Sequence, residues 1–421
     1  MRPAPGLTEF RNARALRRLF PLLLMLCVAS TTQAAAEQYY DATFTVEIRP
    51  DQPAARVELK LTGTRLPSRI ELHTDPGRHR AFASRDPIKI VKDEIVWTPS
   101  GDGARISYDF VIDHERSSKR FDSLLTKEWA VFRGERLVPR LTVTSRPSLK
   151  GRTTLQFALP KGWSAAAPYP QEGASFKVTD TSRRLDRPEG WMLVGTLGKR
   201  SEIIDGVQTI VAAPEGESAR RQDILAFLNW NLPHLKEVLP AMPKRVLIVS
   251  AGDPMWRGGL SGPNSLFIHA DRPLISENRT STLLHELVHV AMGIRGDEES
   301  DWIVEGFAEY YSLELLRRSG GMGRQRFDAA LERMQEWAKR SPNVFKRESS
   351  GANTARAAIA LRAADLEIRK VTENRATLDD VARKLAARGG EVSLEMLQST
   401  AREVAGREVQ ALERERLAGP L

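Results

Sequence analysis

Cysteine is nearly missing from this chain: one residue in 421, Cys27. It falls within the first 36 positions, so the remainder can form no disulfide and offers no thiolate to a metal. Histidine is also scarce, with seven in the whole sequence, which makes any two at ligand spacing informative. No apolar run reaches the ~20 residues that span a bilayer. Basic and aromatic residues do not interleave into a stripe and no nucleic-acid motif occurs, so no nucleic-acid partner is expected. There are no internal repeats and no low-complexity tract.

What is present fits a globular protein of two or three domains, with 41% hydrophobic and 28% charged residues. Residues 1–36 stand apart. Arg11, Arg14, Arg17 and Arg18 precede an apolar stretch at 19–30, and Ala34, Ala35 and Ala36 supply a small-residue cleavage site. That is the pattern of a secretory signal peptide. The expected location is therefore the periplasm, or outside the cell, with no transmembrane anchor after cleavage. Loss of five arginines and one glutamate lowers the net charge from +9 to about +5.

Residues 37–213 alternate apolar with polar. Phe44, Val46 and Ile48 keep period two, as do Val57, Leu59 and Leu61, then Ile106, Tyr108, Phe110 and Ile112, then Leu155, Phe157 and Leu159. Turn residues such as Pro50, Asp51, Asp102 and Gly103 break the runs, so an all-β, sandwich-like domain is expected. His73, His79 and His114 lie far apart in it and read as structural or surface residues.

Beyond this the period lengthens. Residues 219–239 read as a helix holding Pro233, and residues 245–250 (RVLIVS) as a buried strand. Residues 281–293 (STLLHELVHVAMG) then place His285, Glu286 and His289 in an HExxH pattern, which chance supplies about once in a hundred chains with this histidine content. On a helix the two imidazoles lie one turn apart on one face and can share a tetrahedral Zn²⁺. Glu286 follows the first ligand and is placed to act as a base without ligating. Thr280 or Ser281 can open the helix and Gly293 can close it.

From Asp301 the chain reads DWIVEGFAEYYSLELL, with Trp302, Ile303, Phe307, Ala308, Tyr311 and Leu315 at helical spacing. Glu305 and Glu309 sit one turn apart on that second amphipathic helix. A zinc site with two imidazoles needs a third protein ligand, and Glu305 supplies it across a short polar turn. Glu309 is then placed to orient a metal-bound imidazole. One Zn²⁺ per chain is expected.

HELVH followed by WIVEGFAEYY resembles the gluzincin metallopeptidases, and within them the aminopeptidase N and glycyl aminopeptidase families. The resemblance is strong over residues 245–320 and loose elsewhere. It implies zinc ligation by His285, His289 and Glu305, and a catalytic base at Glu286. It also implies that Gly258, Gly259 and Leu260 belong to an edge strand that pairs with the substrate backbone. Two departures accompany it. Those families carry a Glu after this triplet that binds the substrate's free amine, where this chain has Ser261. They also place an oxyanion-binding Tyr in a helix beyond the third ligand, and the matching residues 353–358 contain none; His269, Arg257 and Arg356 are the candidates to replace it.

The last hundred residues read as helical. Thr377, Leu378, Asp379 and Asp380 form a capped start, Gly389 a stop, Ser393 a further start and Gly406 its stop. The expected fold class is α+β: a signal peptide at 1–36, a β domain at 37–213, a thermolysin-like catalytic domain at 214–320 and a helical region at 321–421. The expected function is zinc-dependent hydrolysis of a peptide or protein substrate. The alternative is a non-catalytic or weakly active binding protein of the bacterial envelope on the same scaffold.

Overall fold

The computed structural model describes residues 37–178 and 184–419. The expected signal peptide at 1–36 lies outside the described residues. Among those described, no helix is long and apolar enough to cross a membrane.

The expected strands form where the alternation is cleanest. Gln38–Glu47 pairs antiparallel with Ala54–Thr62 and parallel with Leu149–Ala158, at the centre of a seven-stranded sheet. Tyr40, Ala42, Phe44, Val46 and Ile48 point into one core and their neighbours do not, the period-two pattern of a half-buried strand. A four-stranded sheet adds Ile70, Leu72, Ile95 and Trp97 to that core.

A third sheet joins the β region to the sheet that follows. Its strands Trp129–Arg133 and Trp191–Gly195 are buried on both faces. Ala130, Phe132, Met192 and Val194 enter the β-domain core. Val131, Trp191 and Leu193, from the alternate positions, pack against Leu247, Val249 and Phe267 of the next sheet. Such strands read as continuous hydrophobic runs, and each serves two cores at once.

The sheet that carries the site has the order Leu197–Ile204, Val207–Pro214, Arg245–Ala251, Ser265–His269, Gly259–Gly262. Its three central strands run parallel, and Gly259–Gly262 pairs antiparallel at the edge. The boundary expected at 213/214 falls within this sheet: Leu197–Ile204 and all but the last residue of Val207–Pro214 lie before it. Their alternation is indistinguishable in sequence from that of the β domain; only their partner strand differs. One face packs on the joining sheet, while Val211, Val246, Ile248, Leu266 and Ile268 face the helices.

Among these helices, Arg221–Val238 holds Pro233 internally, as expected. Asp301–Arg318 departs from the amphipathic expectation, since 13 of its 18 residues are buried. It runs through the middle of the helical layer and crosses Ala352–Val371 closely: a Cβ on Gly306 would lie 2.9 Å from that of Ala357. Beyond it, Thr377 and Asp380 form a reciprocal capping box on Leu378–Arg388, and Ser393 and Gly406 bound Leu394–Ala405. A short parallel pair, Ile294–Gly296 with Gly390–Val392, ties this region to the chain that follows the HExxH helix.

Candidate active site

The HExxH segment forms the helix Thr282–Met292. Ser281, not Thr280, caps it, its hydroxyl accepting from the Leu284 N–H at 3.3 Å. Such a cap contributes about 1 kcal/mol. Gly293 ends the helix in the left-handed region, with φ 59°. Leu283, Leu284, Leu287, Val288 and Ala291 bury the far side. The only face left for polar groups is the one carrying His285, Glu286 and His289.

That face meets the Asp301–Arg318 helix. His285 Nε2 lies 3.3 Å from Glu305 Oε2, His289 Nε2 lies 3.3 Å from Glu305 Oε1, and the two Nε2 atoms are 3.1 Å apart. Ligands at about 2.0–2.1 Å from a tetrahedral zinc stand about 3.3–3.4 Å from one another, so the three donors already hold the spacing that such an ion requires. Their chemistry fits as well: two imidazoles and one carboxylate. Among the described residues this is the group of histidine and acidic side chains that could hold a metal.

Glu309 accepts from His285 Nδ1 at 3.0 Å, which leaves Nε2 as the ligating nitrogen and fixes the ring. Burial pushes His285 toward neutrality, but its hydrogen bonds to Glu305 and Glu309 outweigh this and hold the imidazole well above its ordinary range. Burial likewise pushes Glu305 up, yet the two histidines hold its carboxyl far below the usual carboxylate range. A cation bound between these groups would take over the role of the imidazole proton. Asp301, one turn before Glu305, accepts from the Ser349 N–H at 2.6 Å and anchors the loop that closes over this end of the helix.

Glu286 is 8% exposed and lies directly beneath the edge strand. A Cβ on Gly259 would stand 2.5 Å from Glu286 Cγ and 2.7 Å from Thr282 Cγ2. Gly259 therefore lets the strand pass at backbone distance from Glu286, a reason the sequence alone does not reveal. Gly258 is cleared for a different neighbour, the Trp256 indole, 2.3 Å from its would-be Cβ. Leu260 pairs with Phe267, and the outer side of the strand Gly259–Gly262 carries no partner strand.

Of the three candidates for an oxyanion donor, the two arginines are engaged elsewhere, and His269 Nε2 makes no hydrogen bond among the described residues. Arg356 is 2% exposed and donates to the carbonyls of Ser341 and Gly419. Arg257 forms an ion pair with Asp253, and buried His269 has Nε2 3.3 Å from the same carboxylate. No tyrosine is free. The chain has six, and their hydroxyls donate to Glu37, Arg184 O, Leu137 O, Glu189 O, Asp365 and Asp379.

The fold is similar to that of several solved structures. Among solved structures, an aminopeptidase N family protein from Idiomarina loihiensis matches 90% of this chain and 76% of its own, with TM-score 0.68 and 16% identity. Native leukotriene A4 hydrolase from Saccharomyces cerevisiae matches 92% of this chain and 68% of its own, with TM-score 0.55 and 13% identity. Legionella pneumophila aminopeptidase A in complex with aspartic acid matches 91% at TM-score 0.55 and 12% identity, over 49% of its own length. At these identities the likeness establishes the fold. No family model matches the sequence, and no curated protein matches it significantly.

Proposed function

We propose that this chain is an exported zinc-dependent peptidase. The observation that carries the reading is the set of donors His285, His289 and Glu305 at 3.1–3.3 Å spacing, beside a base seated under an edge strand. One zinc ion held there supplies Lewis-acid activation of water and of the scissile carbonyl. Glu286 takes the proton of the attacking water and passes it to the departing amine. The free side of the edge strand Gly259–Gly262 holds the substrate backbone as an added strand. Glu309 keeps the His285 ring in register. Export, to the periplasm or beyond, rests on the residues at 1–36.

Ser261 bears on the cleavage mode. A hydroxyl cannot neutralise an ammonium group, and a desolvated cation without a carboxylate partner is costly. Free amino termini are therefore not preferred, and internal bonds are cut at least as well. With every tyrosine hydroxyl engaged, turnover falls about 10²–10³ below that of a site with one more oxyanion donor. The same two features favour the alternative, a scaffold that binds envelope peptides without cutting them. One peptide series with free and acetylated amino termini separates the readings, using residues 37–421 with Glu286→Gln as control. Cleavage of both forms, lost in the variant, supports the proposal. Strict sequential release from free amino termini contradicts the reading of Ser261, and no cleavage at all leaves the binding scaffold.

A further inference from the structure

The β region holds a cavity of about 460 Å³, and its lining is strongly basic. Five arginines (78, 133, 136, 140 and 187) meet there with only Asp75 and Glu135 as acidic counterparts. Two arginines are spent structurally. Arg78 donates to the carbonyls of Val111 and Ile112, and Arg187 to Glu189 and the Val138 carbonyl. Arg136 and Arg140 are exposed, and their guanidinium groups make no hydrogen bond or ion pair among the described residues. His79 adds no charge: burial lowers its affinity for protons, and its Nε2 sits 3.0 Å from the Arg136 carbonyl.

Arg133 links the cavity lining to the edge strand. Its Nε holds Glu135 at 2.6 Å and its guanidinium lies over the Trp191 ring, 5.4 Å from the centroid. Its Nη2 stands 3.6 Å from where a Cβ on Gly262 would be. Gly262 ends the edge strand, three residues from Gly259 and the base. At 3.3–3.4 Å per residue this is about 10 Å, the reach of three residues of an extended substrate. Guanidinium groups pair with carboxylates in a bidentate fork. We propose that this arginine-lined cavity is an extended subsite for acidic peptide segments, taking a carboxylate about three residues from the bond presented to Glu286. The proposal rests on the peptidase reading for the path of the substrate, but its binding test does not.

The test uses fluorescein-labelled peptides on the zinc-loaded Glu286→Gln protein, read by polarisation. A decapeptide with a pair of glutamates, moved one position at a time, is compared with the same peptide carrying glutamine. The glutamate form is expected to bind roughly fivefold tighter per arginine engaged, at one end of the register only, with the gain shrinking in high salt. Arg136→Ala with Arg140→Ala should shrink the difference at unchanged melting temperature and zinc content, and Arg133→Gln should shrink it at unchanged zinc content. Equal binding of both peptides, a gain undiminished by these substitutions, or a gain that ignores glutamate position each overturns the subsite. Competition by inorganic phosphate with no gain from glutamate overturns it too, leaving a free-anion pocket. Cleavage by the wild-type chain is scored separately. A glutamate preference without cleavage sinks the peptidase reading alone, and cleavage without a preference sinks the subsite alone.

Discussion

Replacing Gly259 by alanine adds one methyl group where the structure has no room for it. The new Cβ would sit 2.5 Å from Glu286 Cγ, 2.7 Å from Thr282 Cγ2 and 2.9 Å from Glu286 Oε1. Carbon atoms rest at about 3.5–4.0 Å, so about 1–1.5 Å of separation must be found. The strand cannot easily provide it, because Gly259–Gly262 is paired along its length with Ser265–His269. The Glu286 side chain can, by rotating out of place. Misplacing a catalytic group by about 1 Å costs on the order of 10²-fold in rate. Gly259→Ala is therefore expected to lower kcat/KM for a peptide by about that factor while zinc content stays at one per chain, because none of the three donors is touched. Full activity in Gly259→Ala would refute this account of the glycine.

Glu309→Ala removes the acceptor of His285 Nδ1 and should weaken zinc binding about 10–100-fold, measured by competition with a fluorescent chelator. Gly306→Val pushes against Ala357 and Leu361 at the crossing beneath the metal ligand, so it should destabilise the fold by about 1–3 kcal/mol in urea titration. Asp379→Ala strips the half-buried Arg318 of one of its two carboxylates and Tyr311 of its acceptor, at an expected cost of about 3 kcal/mol by the same titration.

The cluster of His285, His289 and Glu305 was legible because its logic is local: HExxH sets two imidazoles on one helical turn, and Glu305 follows on the next helix. The alternating strands and the capped helices of the last hundred residues were legible for the same reason. What was hidden depends on partners far away in the chain. Nothing local tells strand 207–214 that it pairs with 245–251 rather than with the β domain. The two-faced burial of Trp191 and Val131 needs a second core to be seen. Gly259 and Gly306 look like turn and helix-weakening residues until Glu286 and Ala357 appear opposite them. The basic cavity draws on residues 73–79, 133–140 and 187, so no stretch of sequence shows a basic run. Arg356 read as a candidate oxyanion donor from its helix alone, and the carbonyls of Ser341 and Gly419 remove it from that role.

The most direct test of the central claim measures zinc and peptide hydrolysis in the same samples of residues 37–421, wild type beside Glu286→Gln. The account predicts one zinc per chain in both after dialysis against buffered metal, and hydrolysis in the wild type alone. A wild-type chain that takes up no zinc, or a Glu286→Gln chain that loses it, would contradict the assignment of ligands and base.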